Sequence, residues 1–230
     1  MNTHFTYLIL NFSAVFFPLV LSFDQKVAFY KLWKKLFIAI FINSLFFISW
    51  DIIFTHKNIW NFNPNYILGI YFFNLPIEEV LFFITVPYSC IFIYEVVKAY
   101  SKNQIFKFEK TVIIIFSIIC LTTALLYHNK LYTLTNACIC LFLIIFATYI
   151  YKLKTLNQFF VSYFISLIPF LVCNGILTAL PVVVYNNFEN MNLRLLSIPL
   201  EDLFYCLSLM LLPILIMDFL SRKSIQVISK

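Results

Sequence analysis

The chain has 230 residues, 63% of them hydrophobic and 11% charged, with a formal net charge of +6. Soluble domains sit near ~45–50% apolar and ~25% charged, so no water-soluble core can hide this much apolar surface and lipid must cover much of it. Two glycines, Gly69 and Gly175, leave no GxGxxG or P-loop nucleotide site, and the length suits one membrane domain.

A helix that crosses a bilayer needs about 20 mostly apolar residues. Seven stretches qualify: Tyr7–Phe23, Leu36–Phe54, Ile77–Val97, Thr111–Tyr127, Leu131–Tyr151, Phe159–Val184 and Pro199–Leu220. The predicted fold class is therefore an all-α integral membrane protein. Tyr66–Leu75 is also apolar and is expected to lead into the third span as an interfacial or re-entrant piece. Met1–Tyr7 has no positive n-region and no small-residue cleavage site follows it, so the first stretch reads as a retained span. Cys90, Cys120, Cys138, Cys140, Cys173 and Cys206 form no CxxC pair and read as small core residues. His4, His56 and His128 fall in loops or near the terminus, so no metal site is expected.

Basic residues orient the bundle. Lys26, Lys31, Lys34 and Lys35 lie in the first loop, and Lys98, Lys102, Lys107 and Lys110 in the third. Lys152 and Lys154 follow in the fifth, and Arg222, Lys223 and Lys230 in the tail. The other loops hold Lys57, Lys130 and Arg194. The positive-inside rule puts the amino terminus outside and the carboxyl terminus in the cytoplasm of the cell membrane. The positive charge reflects this bias and not a nucleic-acid surface.

The chain repeats itself. Pro76-Ile77-Glu78-Glu79 resembles Pro199-Leu200-Glu201-Asp202 at an offset of 123, and the same offset places Asp51 on Asn174, Thr85 on Ser208 and Glu95 on Asp218. Repeats over about residues 1–100 and 128–222 are expected, with a linker span at about 111–127. Three spans per repeat plus one between them point both halves the same way across the membrane, which makes their interface the expected place for a site.

An Asp at the centre of a span costs about 2.5–3.5 kcal/mol. Glu78, Glu79, Glu201 and Asp202 open two spans that enter from the same side, and Asp51 ends another at a similar depth. Acids do favour the positive end of a helix dipole, but that explains single acids better than two pairs with matching flanks. Neighbouring positions differ by about 100° on a helix, so one acid of each pair can face the bundle centre while the other supports it. Carboxyls gathered in a dry place cannot all ionise, and a neutral acid beside a carboxylate is a proton donor paired with a base. Tyr71, Phe72, Phe73, Phe82, Phe83, Phe204 and Tyr205 stand near enough in sequence to stabilise a cation by their ring faces. Glu95 and Asp218, close to Lys98 and Arg222, read as interfacial anchors.

The run Asn74–Glu95, NLPIEEVLFFITVPYSCIFIYE, together with Ile198–Asp218, IPLEDLFYCLSLMLLPILIMD, resembles the membrane-embedded lycopene cyclases in their fused two-repeat form. The resemblance covers essentially the whole chain. It implies motif acids at Glu78, Glu79, Glu201 and Asp202, motif prolines at Pro76 and Pro199, and a distal acid at Glu95, with Asp218 as its looser counterpart. It also implies a redox-neutral closure of lycopene ends into β-ionone rings, through γ-carotene to β-carotene. No tightly bound cofactor is implied. The donor is expected to be Glu78 or Glu201, with Glu79 and Asp202 as partners or base. A lipophilic substrate would arrive from the bilayer, and association with other carotenoid enzymes is compatible with the resemblance. A small transporter with the same repeat plan is the rival reading, although the Pro-Gln pairs expected of such folds are missing from this sequence. A non-catalytic subunit of a carotenoid assembly is the third reading, and two complete acid motifs argue against it.

Overall fold

A computed structural model describes residues 3–101 and 108–228, with side chains through residue 223. Met1, Lys102, Lys107 and Lys230, which entered the arguments on leader and orientation, lie outside the described residues. Among the described residues, seven helices are long and apolar enough to cross a membrane. They are α1 (Thr6–Leu21), α2 (Trp33–His56), α3 (Ile77–Ser101), α4 (Glu109–Leu126), α5 (Leu131–Ile145), α6 (Leu156–Ala179) and α7 (Glu201–Ile228). α5 ends in a π turn over Phe146–Ile150.

Each helix is apolar nearly all round, so no polar stripe faces outward and the outer surface carries bare hydrophobes such as Phe17, Phe41, Leu125 and Ile168. The long element α3 packs on α1 and α6, and α7 packs on α5 and α2, so each repeat lends a helix to the other. α4 rests on α5.

Prolines inside the helices create local demands that neighbours meet. Pro87 has no N–H to give the carbonyl of Phe83 four residues earlier, and Ser44 of α2 donates its hydroxyl there instead (2.9 Å). Pro18 likewise frees the carbonyl of Ala14, which accepts from Ser89 of α3 (2.9 Å). These substitutions stitch α2 to α3 and α3 to α1.

At the end of the bundle where α3 and α7 begin, six short strands among the described residues form three antiparallel pairs. Two are hairpins at the repeat offset, β2 (Tyr71–Phe72) with β3 (Leu75–Pro76) and β5 (Arg194–Leu195) with β6 (Ile198–Pro199). Their turns hold Phe73 (φ 54°) and Leu196 (φ 57°) in the left-handed region without glycine, a conformation that persists only where the surroundings over-determine it. The third pair joins the halves: β1 (Trp60–Phe62) runs against β4 (Val183–Tyr185), with Asn61 opposite Val184. Those two residues are separated by the repeat offset, so the strand pair is centred on the axis relating the halves.

Several sequence expectations change. The apolar run after Ala179 is not the end of span six, because Val183–Tyr185 leaves the helix to pair with β1. Pro199 belongs to strand β6, and α7 starts at Glu201. Tyr66–Leu75, expected as an interfacial or re-entrant piece, does lead into α3, as the end of a helical turn followed by a hairpin. Of the cysteines, Cys138 is exposed and Cys173 half-buried, so those two are not core residues. An apolar segment is equally at home in lipid and in a protein core, and composition alone cannot separate the two.

Candidate active site

The three acids Asp51, Glu79 and Asp202 line one cavity of ≈ 40 Å³ beneath the β1–β4 pair. They are 2%, 8% and 2% exposed. Asp51 comes from the last turns of α2, while Glu79 and Asp202 come from the first turns of α3 and α7. Asn174 of α6 completes the polar wall. The volume suits a few water molecules at most.

The repeat equips its two acids differently. In the first half Glu79 accepts from the Tyr7 hydroxyl (2.5 Å) and lies within hydrogen-bonding reach of the Asp51 carboxyl. Asp51 also accepts from the Tyr205 hydroxyl (3.4 Å). In the second half Asp202 accepts from the Tyr132 hydroxyl (2.5 Å), from Asn174 Nδ2 (2.8 Å) and from the Tyr185 hydroxyl (3.0 Å). One half thus holds a carboxyl–carboxyl contact, and the other holds one carboxylate served by three donors. Two exchanges at equivalent positions make the difference: Asn174 stands where the first half has Asp51, and Tyr185 where it has Phe62. Tyr185, on the strand outside the spans, has its hydroxyl pushed well above the usual tyrosine range by burial and by the neighbouring Asp202 charge.

Glu78 and Glu201 stand elsewhere. Both are fully buried, but neither lines the cavity. Glu78 Oε1 accepts from the backbone N–H of Leu68 (2.7 Å), and Glu201 Oε1 from that of Met191 (2.6 Å) and from the Thr133 hydroxyl (2.5 Å). Leu68 and Met191 are again separated by the repeat offset, so each first acid latches the loop that leads into its own hairpin. Asn11 and Asn136 donate to the main-chain carbonyls of Glu78 and Glu201 (3.0 and 2.7 Å), fixing the first turns of α3 and α7. Glu78 Oε2 and Glu201 Oε2 have no hydrogen-bond partner among the described residues.

Pro76 and Pro199 pair across their hairpins just before the acids. Glu95 is remote, about 24 Å along α3 from Glu79 at 1.5 Å per residue. It pairs with Lys98 (2.8 Å), and Asp218 pairs with Arg222 (2.7 Å). Of the aromatics expected near the acids, Phe82 and Tyr205 line the cavity. Tyr71, Phe72 and Phe73 are exposed on the hairpin, and Phe83 and Phe204 are buried outside the lining. The remaining ring walls, among them Trp60, Phe62, Tyr132, Phe170 and Tyr185, escaped the sequence reading. Tyr7-x₃-Asn11 and Tyr132-x₃-Asn136 were legible as a spacing, but they repeat at an offset of 125 and so fall out of step with the motif acids.

A family profile described as lycopene cyclase matches this chain over residues 4–97 and 129–220, the two repeats without the α4 segment. A stretch of 62 residues is 32% identical to a protein of Aspergillus oryzae (strain ATCC 42149 / RIB 40) named bifunctional lycopene cyclase/phytoene synthase. That stretch covers 27% of this chain and 11% of the fungal protein. No solved structure matches.

Proposed function

This chain belongs to the lycopene cyclase family, and we propose that it closes the acyclic ends of lycopene into β-ionone rings by proton transfer alone. The observation that carries the reading is the unequal treatment of equivalent acids: a carboxyl pair on one side of the cavity and a triply hydrogen-bonded carboxylate on the other.

Two carboxyls in contact share one proton, because both cannot ionise so close together. The Asp51–Glu79 pair therefore supplies the acid. Its proton goes to C2 of the terminal alkene and leaves the cation at C1. The C5–C6 π electrons form the C1–C6 bond, and the charge moves to C5. Asp202, with donors on both oxygens, acts as the base that takes the proton from C6, and the C5–C6 double bond re-forms. No atom or electron is gained or lost overall. Glu79 and Asp202 are close enough to feel each other's charge, and water in the cavity can return the proton between turnovers. Ring faces of Phe82, Trp60 and Tyr205 offer quadrupoles to the passing cation. A small cavity roofed by the strand pair limits the water that could quench it. In this assignment Glu78 and Glu201, the donors expected from the sequence, act as loop latches.

The substrate is a hydrocarbon taken from the bilayer, and contact with other carotenoid enzymes would shorten its path. The acid end faces the outside and the carboxyl terminus the cytoplasm. The test is expression in a bacterium that accumulates lycopene, followed by chromatography of its pigments. New γ- or β-carotene is expected, and unchanged lycopene with the protein present in the membrane would refute the proposal.

A further inference from the structure

Two further cavities continue from the acid cavity. One, of ≈ 10 Å³, shares Tyr7, Phe82 and Leu177 with it and reaches Ala14 and Cys173. The other, of ≈ 40 Å³, again shares Phe82, Ala14 and Cys173 and extends past Ser89 to Ile93 and Pro169. Pro169 is exposed and Ala14 and Ile93 are half-buried, so this row opens toward lipid. It follows the seam where α1, α3 and α6 meet, and from Phe82 to Ile93 it runs about 16 Å along α3 at 1.5 Å per residue. Two larger grooves, of ≈ 570 and ≈ 640 Å³, share no lining residue with the acid cavity.

The repeat predicts a second seam, between α5, α7 and α2, and the residues there are larger. Ala14 corresponds to Ile139 at the α1–α5 offset of 125, Ser89 to Leu212 and Cys173 to Trp50 at the offset of 123. Leu177 corresponds to Phe54, and Ser166 to Asn43. Beside the acids this seam holds a packed ring cluster in place of cavities: Trp50 lies 5.7 Å from Phe47, 5.3 Å from Tyr205 and 5.4 Å from Phe54, centroid to centroid. The ≈ 570 Å³ groove, lined by Ile42, Leu143 and Leu212, lies farther along the same three helices and shares no residue with the acid cavity. Beside the acids, small side chains keep one seam open and aromatic ones close its equivalent. Symmetry of the fold alone would have treated them alike.

Resting on the cyclase reading and on its stepwise route through a monocyclic product, we infer that the α1–α3–α6 seam is the single conduit in which the substrate's polyene chain lies. The reacting end would sit among the acids and the rest of the chain would lie along the seam toward the bilayer, with Phe82 displaced to join the cavities. The occupant is a long, thin hydrocarbon because the walls are apolar and the inner end of the row is the acid cavity itself. With one conduit, a second ring requires the product to leave and return reversed.

The test installs in the open seam the residues of the closed one. Cys173→Trp and Ala14→Ile are expressed in lycopene-accumulating bacteria and checked for membrane level and for a monodisperse profile in detergent. Each is expected to lower ring formation by at least about tenfold. Ser49→Trp, which fills the separate α2–α3 groove, is expected to stay within about twofold of wild type. A time course of the wild type in membranes with excess lycopene keeps the test decisive even where a variant fails to fold. Free monocyclic product is expected before bicyclic product, and bicyclic product from the first time point without it would overturn the inference. Normal turnover in both filled variants would overturn it too. A wild type that forms no rings fails the cyclase reading itself, which is a separate result.

Discussion

Replacing Asp51 by Asn gives the first half of the protein the residue that stands at the equivalent place in the second. The side chain keeps its shape, and its new amide can donate to Glu79 as Asn174 Nδ2 donates to Asp202 at 2.8 Å. Tyr7 still serves Glu79 and the Tyr205 hydroxyl still has an oxygen to reach. One hydrogen bond replaces another, so stability should change by no more than about 1 kcal/mol. The shared proton is lost, because an amide has none to give and a Glu79 that accepts from both neighbours is held as the carboxylate. Loss of a positioned general acid costs about 10²–10⁴-fold, or about 2.7–5.4 kcal/mol of barrier at ~1.36 kcal/mol per decade. The assay is the rate of ring formation in isolated membranes, normalised to protein, with a thermal unfolding curve on the purified variant. Turnover within about threefold of wild type, about 0.65 kcal/mol of barrier, would refute the assignment of the acid to this pair.

Other perturbations divide the remaining roles. Glu78→Gln and Glu201→Gln keep a carbonyl oxygen for the Leu68 and Met191 N–H groups, so activity should stay within about threefold. A fall of about 10² or more would return the donor role to the first acid of each pair. Asn174→Asp puts a second carboxyl against Asp202 and should let the base hold a proton, cutting turnover by about tenfold or more; unchanged kinetics would remove Asp202 from the base role. Glu95→Gln breaks only the ion pair to Lys98 at the far end of α3, worth about 0–1 kcal/mol, and both pigment yield and unfolding temperature should be nearly unchanged. A reporter fused to the carboxyl terminus should score as cytoplasmic, and an external signal would reverse the orientation drawn from the lysines.

Span number and the two acid motifs were legible because the first follows from apolar run length and the second from a constant offset. The orientation of each motif acid was not. Glu78 and Glu79 are neighbours about 100° apart on a helix, and which one turns inward depends on the hairpin that delivers the first turn of α3. Tyr7 and Tyr132 escaped because the first helices of the repeats are two residues out of step with the motifs. Tyr185 escaped because a Val-Val-Tyr strand and a helix end look alike in an apolar chain. The difference between the open and closed seams needs residues from three helices to be brought together, and no single window of sequence contains them.

The pairing of β1 with β4 reaches beyond its role as a roof. Asn61 faces Val184, its own counterpart in the other half, which is the register that two copies of one chain adopt when they meet across a twofold axis. A self-complementary contact of this kind needs no covalent connection to form. It is the contact through which two separate halves would meet without α4 between them. Two separately expressed halves of this chain should therefore still find each other in a membrane.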